Sequence, residues 1–372
     1  MDDSSVQLTW RGLEPGLLRL RTLDTDVTEV VIVPDGSPAG GTVLDGLPSG
    51  QVLTVEADLP GQSRRGRRER LAFRTLDRLP GEELFRLATV GDLHLGAKVF
   101  GHRGTIKENP VPDVAHPHRC TQAALDDALA WGARRVVAKG DVTNQGGVHE
   151  WRAWAELSAG LGVPVDVLPG NHDRAHRSGS RSMLPEDAAR AFDLTMALPL
   201  IVRDLPGLRL VLADSTTAGR NQGTIAGVAD DLVDAVRDAD PEGAVLVALH
   251  HQLHPRTGAE VWPRGVTHQD SRALLDRLGA VHSHVLVTSG HTHRHRRWAH
   301  AGVTTTQVGS TKDYPGVWAG YVVSEGGLRQ VVRRVTRPDC IAWTDHTRRA
   351  AGGAWRFIAP GLLTSRCFDL TW

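Results

Sequence analysis

The sequence predicts an α/β protein led by a small β-sandwich, and three observations carry that prediction. From residue 84 onward, short apolar runs alternate with helix-patterned segments, the texture of a sheet covered by helices. Residues 6 to 76 instead carry short β-branched or alternating runs split by Pro-Gly, Asp-Gly and Gly-Gly turns, the spacing of an all-β module. Five of the later apolar runs end directly in residues able to bind a metal ion. An open α/β sheet gathers its ligands there, at the carboxyl ends of its strands.

Within residues 1–78 the runs at 6–10, 17–22, 28–33, 51–55 and 71–74 read as the strands of the sandwich. The basic run Arg-Arg-Gly-Arg-Arg-Glu-Arg at 64–70 reads as a solvated hairpin tip, since one short run in a neutral chain makes a poor nucleic-acid surface. Leu79-Pro80-Gly81-Glu82-Glu83 reads as a linker. Helices are expected over 121–131, where Ala124, Leu125, Ala128 and Leu129 share a face, and over 149–161, 230–239 and 270–278. Trp131, Trp151 and Trp154, at helical spacing, read as core. The α/β unit is set at 84–325. Residues 326–372 return to strand-like pieces at 328–335 and 355–358 and are expected to form a β-rich extension, to which the sequence assigns no role.

Composition removes several classes of function. Lys+Arg and Asp+Glu both number 43 in 372 residues, so no global positive field favours nucleic acid or an anionic membrane as partner. Cys120, Cys340 and Cys367 form no Cys-x-x-Cys pair, which argues against a thiolate zinc site or a disulfide framework and fits a reducing cytoplasm. The acidic start Met1-Asp2-Asp3 lacks the basic and apolar regions of a secretory signal, and no apolar run approaches the roughly 18 residues of a membrane span. A cytoplasmic protein acting through a local site is expected.

That site is written at the strand ends. The run at 87–90 leads into Gly91-Asp92-Leu93-His94, 136–138 into Gly140-Asp141, and 165–168 into Gly170-Asn171-His172-Asp173. The run at 245–249 leads into His250-His251, and 285–287 into Gly290-His291-Thr292-His293. Each piece alone has a plain reading: Asp-x-His and Gly-Asp are frequent, and a lone strand-end histidine is more often a satisfied core residue than a ligand. Gly-Asn-His-Asp and Gly-His-Thr-His in one chain, in this order and at strand ends, are far harder to obtain by chance. Imidazole, carboxylate and amide oxygen without thiolate suit Mn, Fe or Zn.

In the ordered signature Asp-x-His, Gly-Asp, Gly-Asn-His-Asp, His, Gly-His-x-His, the chain resembles the calcineurin-like metallophosphoesterases over about residues 85–325. The resemblance implies a four-layer αββα sandwich holding two divalent metal ions. It implies that Asp92, His94, Asp141 and His293 hold one ion and that Asp141, Asn171, His250 and His291 hold the other, Asp141 bridging. His172 becomes the catalytic histidine, with Asp173 or Asp92 as its orienting carboxylate and Asp173 counted beside it in the catalytic set. Two ions ~3.5–4 Å apart clamp both oxygens of an in-line phosphoryl displacement, with a bridging hydroxide as nucleophile. Their charge outweighs that of the two aspartates and draws in a phosphate anion. His251, beside His250, is also within reach of an ion; the place in the motif favours His250.

Lys98, His102, Arg103, His116, His118, Arg174, His176, Arg177 and Arg181 occupy loops after the first and third motifs and are expected to include a substrate contact. His282, His284, His295 and His300 have no place in the signature and read as surface or supporting residues. The layout is similar to that of purple acid phosphatases, which carry a fibronectin-like β domain in front. Their metal-binding tyrosine at Gly-Asp-x-x-Tyr is replaced, however, in Gly140-Asp141-Val142-Thr143-Asn144, so a purple ferric enzyme is not expected. Gly-Asp-Val-Thr-Asn-x-Gly is closer to the bacterial cyclic-nucleotide phosphodiesterase branch, although His250-His251-Gln252-Leu253 departs from its usual His-His-Pro-Pro. The expected activity is hydrolysis of a small phosphoester, a diester slightly ahead of a monoester. The alternatives are a metal-dependent nuclease, which needs a charged track for the backbone, and a non-catalytic scaffold, which is expected to have lost ligands.

Overall fold

The computed structural model describes the chain except residues 37–38, 62–67, 102–104, 110–111, 175–181 and 255–261. At the N-terminus, β1 (Val6–Trp10), β2 (Gly16–Thr22), β3 (Thr28–Val33), β4 (Gly40–Leu44), β5 (Val52–Asp58) and β6 (Arg68–Arg74) form two sheets. β1 pairs with β4, and the others lie in the order β3-β2-β5-β6, every pair antiparallel. Alternation sets the faces: Leu18 and Leu20 are buried against Val6, Val33, Leu44, Leu53 and Val55, while Leu17, Arg19 and Arg21 face outward. The basic run is not a hairpin tip throughout. Arg68 and Arg70 are strand residues paired with Asp58 and Glu56, both at 2.9 Å, and residues 64–67 lie outside the described residues.

The α/β unit follows in chain order as β7 (Glu83–Val90), β8 (Val99–Phe100), β9 (Ile106–Lys107), α1 (His116–Ala130), β10 (Val136–Lys139), α2 (Val148–Ala159), β11 (Val165–Leu168) and α3 (Pro185–Phe192). It continues with β12 (Leu200–Leu205), β13 (Leu208–Ala213), α4 (Ala229–Arg237), β14 (Ala244–Ala248), α5 (His268–Val281), β15 (Val285–Ser289), β16 (Arg296–His300) and β17 (Val303–Gln307). The chain closes with β18 (Val317–Ser324), β19 (Gly327–Arg334), α6 (Pro338–Thr347), α7 (Trp355–Ile358), α8 (Leu363–Arg366) and β20 (Phe368–Thr371). Two six-stranded sheets result, in the orders β11-β10-β7-β18-β19-β20 and β12-β13-β14-β15-β17-β16. The strands that lead into the motifs run parallel within each sheet: β7, β10 and β11 in the first, β14 and β15 in the second.

Period-two burial on both faces of these strands makes four layers, the αββα sandwich. In β10, Val136 and Ala138 pack with Leu125, Trp151 and Trp154 of α1 and α2, while Val137 turns toward the second sheet with Leu87, Leu210, Leu246 and Leu286. In the second sheet, Val211, Val245 and Val287 pack under Leu232 and Leu275 of α4 and α5. Strands buried on both sides read as continuous apolar runs, which is why they stood out in the sequence. A fully buried Val or Leu contributes about 1.5–3 kcal/mol, so the strand ends are carried on a stiff platform.

The C-terminal stretch is not mainly β. β19 and β20 extend the first sheet, but α6 begins at Pro338 and turns Cys340, Ile341, Trp343 and Thr344 inward. Residues 355–358, expected as a strand, form the single helical turn α7. The N-terminal module is tied to β19 by Arg333–Asp2 and Arg329–Asp3 ion pairs, each at 2.7 Å, and by Gln7 donating to the Arg334 carbonyl at 2.8 Å. Among the described residues no helix is long and apolar enough to cross a membrane.

Candidate metal centre

The parallel strands β7, β10, β11, β14 and β15 deliver their following turns to one edge, and those turns are built tightly. Asp92, His94, Asp141, His291 and His293 all sit at positive φ, 52, 46, 48, 66 and 55° respectively. For a residue with a side chain that conformation costs about 1–3 kcal/mol, and it persists where the surroundings over-determine it, typically at functional sites. Glycine makes the approach possible: a Cβ on Gly140 would lie 2.5 Å from His250 Nδ1, and one on Gly170 2.2 Å from the Asp141 nitrogen.

Ligand-type atoms meet at this edge. Asp141 places Oδ2 3.6 Å from His94 Nε2 and Oδ1 3.4 Å from His250 Nε2. His293 Nε2 lies 3.3 Å from His94 Nε2 and 3.5 Å from Asp92 Oδ1, and His250 Nε2 lies 3.3 Å from Asn171 Oδ1. Donor atoms within 4.8 Å of one another group as Asp92, His94 and His293; as Asp92, Asp141 and His250; as His94, Asp141 and His172; and as His250, His251 and His291. His291 Nε2 is buried and meets no hydrogen-bond partner among the described residues. A buried imidazole nitrogen left bare, beside carboxylate and imidazole groups turned toward each other, is what a cation would satisfy; the donor set fits Mn, Fe or Zn.

The electrostatics agree. Burial holds His94 and His291 well below the ordinary histidine value, so each stays neutral, as a ligand must be. Burial acts on His250 in the same direction, but Asp141 outweighs it and pushes His250 up to about 9. Burial also works against ionisation of Asp141, yet His250 and His172 beside it hold the carboxyl well below the carboxylate range. The carboxylates thus favour positive charge in the centre, and a divalent ion bound there would displace any proton from the ligating nitrogen of His250.

His172 and Asp173 take different parts. His172 is half-buried; its Nδ1–H donates to the Asn144 carbonyl at 2.8 Å, and its ring centroid lies 4.5 Å from that of His94. Neither Asp173 nor Asp92 orients it, a correction to the sequence reading. Asp92 accepts from the His291 amide at 2.9 Å. Asp173 is fully buried and accepts from the amides of Gly170 at 2.8 Å, Val142 at 3.2 Å and Thr143 at 2.7 Å, and from Thr143 Oγ1 at 2.6 Å. Its oxygens accept from the backbone of two turns and from the Thr143 hydroxyl, and so hold those turns together.

His251 Nδ1 meets Ser215 Oγ at 2.9 Å, and burial together with His250 pushes the imidazole down to about 3. Arg174, a candidate phosphate contact, is instead paired with Glu186 and Asp214, both at 2.8 Å. His116 stacks on Trp343 and faces Glu108, and His282, His284 and His300 meet Asp240, Trp372 and Asp276. His102, Arg103, His176, Arg177 and Arg181 lie outside the described residues. The motifs did not point to Lys139, whose Nζ donates to Thr288 Oγ1 at 2.9 Å and ties the two sheets together, nor to Asp313, 2.7 Å from His293 Nδ1. Lys139 has no sequence signal beyond following an apolar run, and Asp313 lies in a polar loop stretch with none.

Comparison with known proteins agrees with this geometry. A family model described as calcineurin-like phosphoesterase matches residues 85–295. A 3',5'-cyclic adenosine monophosphate phosphodiesterase of Pseudomonas aeruginosa is 29% identical over 159 residues, covering 43% of this chain and 54% of its own. A probable glycerophosphodiester phosphodiesterase of Arcobacter nitrofigilis is 28% identical over 166 residues, covering 43% and 56%. The chain thus spans about half the length of these curated relatives. A purple acid phosphatase from yellow lupin seeds shares the fold at a TM-score of 0.50 and 13% identity, over 90% of this chain and 70% of its own. With a family match across more than half of its length, and the family's ligand-type side chains converging at one sheet edge, the chain belongs to the calcineurin-like phosphoesterases.

Proposed function

We propose that the chain hydrolyses a small phosphoester at two divalent ions, one held by Asp92, His94, Asp141 and His293 and the other by Asn171, Asp141, His250 and His291. The observation that carries this reading is Asp141, whose two carboxylate oxygens face His94 on one side and His250 on the other. A carboxylate so placed would be able to serve two ions at once. When bound, the ions supply Lewis acidity to a phosphoryl group and acidify water, the chemistry of two-metal phosphoryl transfer.

The chain's own groups do the rest. Asp141 and Asp92 set the charge that the ions must exceed for an anionic phosphate to enter. The Asn144 carbonyl accepts the Nδ1–H of His172, which fixes the ring and leaves Nε2 as its remaining proton site. As a water oxygen bonds to phosphorus and gives up a proton to solvent, the P–O ester bond breaks and the leaving oxygen takes the proton held on that atom. We favour a diester over a monoester, because the relatives named above are diesterases, and a small substrate over a polymer, because the chain carries no net charge. We also read residues 1–78 as a module separate from a catalytic unit at 84–325, and place the protein in the cytoplasm, where its buried free cysteines stay reduced.

A phosphoester panel with added Mn tests the reading. A small diester should give the highest kcat/KM; single-stranded DNA exceeding every small ester would replace this reading with the nuclease, and a monoester excess would reverse the diester preference alone.

A further inference from the structure

The loop between β17 and β18 supplies the centre with a residue that lies outside its motifs. Asp313 is fully buried, with Oδ2 2.7 Å from His293 Nδ1 and 3.4 Å from Lys312 Nζ. A carboxylate at Nδ1 keeps the ring proton on that side and leaves the lone pair on Nε2. That is the atom of His293 lying 3.5 Å from Asp92 and 3.3 Å from His94. The loop is in turn gripped by the C-terminal helices. Trp343 Nε1 donates to the Lys312 carbonyl at 2.7 Å, Trp355 Nε1 donates to the Tyr314 carbonyl at 3.1 Å, and the Tyr314 amide donates to Thr347 Oγ1 at 2.8 Å.

From these contacts we propose that Asp313 is a positioning residue for the ion held by Asp92, His94, Asp141 and His293, and that the C-terminal segment 338–358 serves this unit as the brace that keeps Asp313 in place. The proposal rests on the two-metal reading. Asp313 acts by fixing the tautomer and orientation of one ligand, so its loss weakens one ion position and spares the other.

The test is Mn binding to the metal-free full chain, measured by competition with a chelator, for wild type, Asp313→Ala and Asp313→Asn. Asp313→Ala should weaken one of the two positions by about 10- to 100-fold, the range for losing an outer partner of a ligating histidine. The second position should keep its affinity. Asp313→Asn retains an acceptor oxygen without the charge and should fall in between; being of equal size, it carries the test if the alanine variant does not fold. Trp343→Phe keeps an aromatic ring, removes the hydrogen bond to the Lys312 carbonyl, and should weaken the same position by a smaller factor. Loss at both positions together, with a lowered unfolding temperature, would mean a merely structural role and overturn the proposal. Wild-type affinity at both positions in both Asp313 variants would overturn it while leaving the two-metal reading standing, and wild-type affinity in Trp343→Phe would remove the brace. A wild-type chain that binds no Mn would overturn both readings.

Discussion

The backbone N–H of His172 donates to Oδ1 of Asp141 across 2.8 Å, fastening the turn after β11 to the turn after β10. The next residue, Asp173, locks the same two turns from beneath through Gly170, Val142 and Thr143. The carboxylate proposed to bridge two ions and the imidazole proposed to handle the proton are therefore set by one pair of turns, and their separation does not depend on a mobile side chain.

Asp141→Ala removes a donor from both halves of the centre. Metal content by mass spectrometry should fall at both positions together, and turnover should drop by more than the ~10- to 100-fold that losing an outer partner costs. Two ions retained by this variant would contradict the shared role.

His172→Ala should keep its metal and its fold yet lose about 10²- to 10⁴-fold in kcat, the contribution of a positioned acid. The loss should be smaller on a nitrophenyl ester, whose leaving group needs no proton, than on an alkyl ester. Equal losses on both would leave charge stabilisation as the role of His172.

Asp173→Ala strands buried donors of two turns at once. Urea unfolding should show a stability loss of about 3 kcal/mol or more, because each buried donor left unpaired costs about 1–3 kcal/mol. A variant as stable as wild type but slow in turnover would return Asp173 to the catalytic residues.

Glu108 makes the stability of the fold depend on pH. Burial raises a carboxyl, but hydrogen bonds from His116 and Arg119 outweigh it and bring Glu108 down to about 2. A carboxyl lowered by folding stabilises fully above its unfolded value of 4.5, and that stability is lost as pH falls toward about 2, because the unfolded chain takes up the proton first. Glu108→Gln should therefore have a lower Tm than wild type at neutral pH, with the gap closing across that window. A gap of constant size from neutral pH to the acid limit would contradict this.

Much of the site was legible because its residues come as short contiguous strings behind apolar strands: Gly-Asn-His-Asp and Gly-His-Thr-His carry both the turn-making glycine and the donors. What the string could not reveal is partnership through space. Asp173 sits beside His172 in sequence but spends its oxygens on backbone amides and the Thr143 hydroxyl, whereas the group that orients His172 is a carbonyl, which any residue at 144 would provide. Asp313 is remote from His293 in sequence and meets it only because β16, β17 and the following loop double back. Trp-Arg-Phe-Ile at 355–358 alternates as a strand would, yet four residues are too few to separate a strand from one helical turn, and in the structure the Ile358 and Ala359 amides donate to the Ala354 and Trp355 carbonyls, closing the turn.

The most direct test of the two-metal account is a titration of the metal-free chain with Mn while hydrolysis of bis-nitrophenyl phosphate is followed. The account predicts negligible turnover without metal and a rise that saturates when two ions are bound per chain. Full turnover by the metal-free protein, or none with two ions bound, would contradict it.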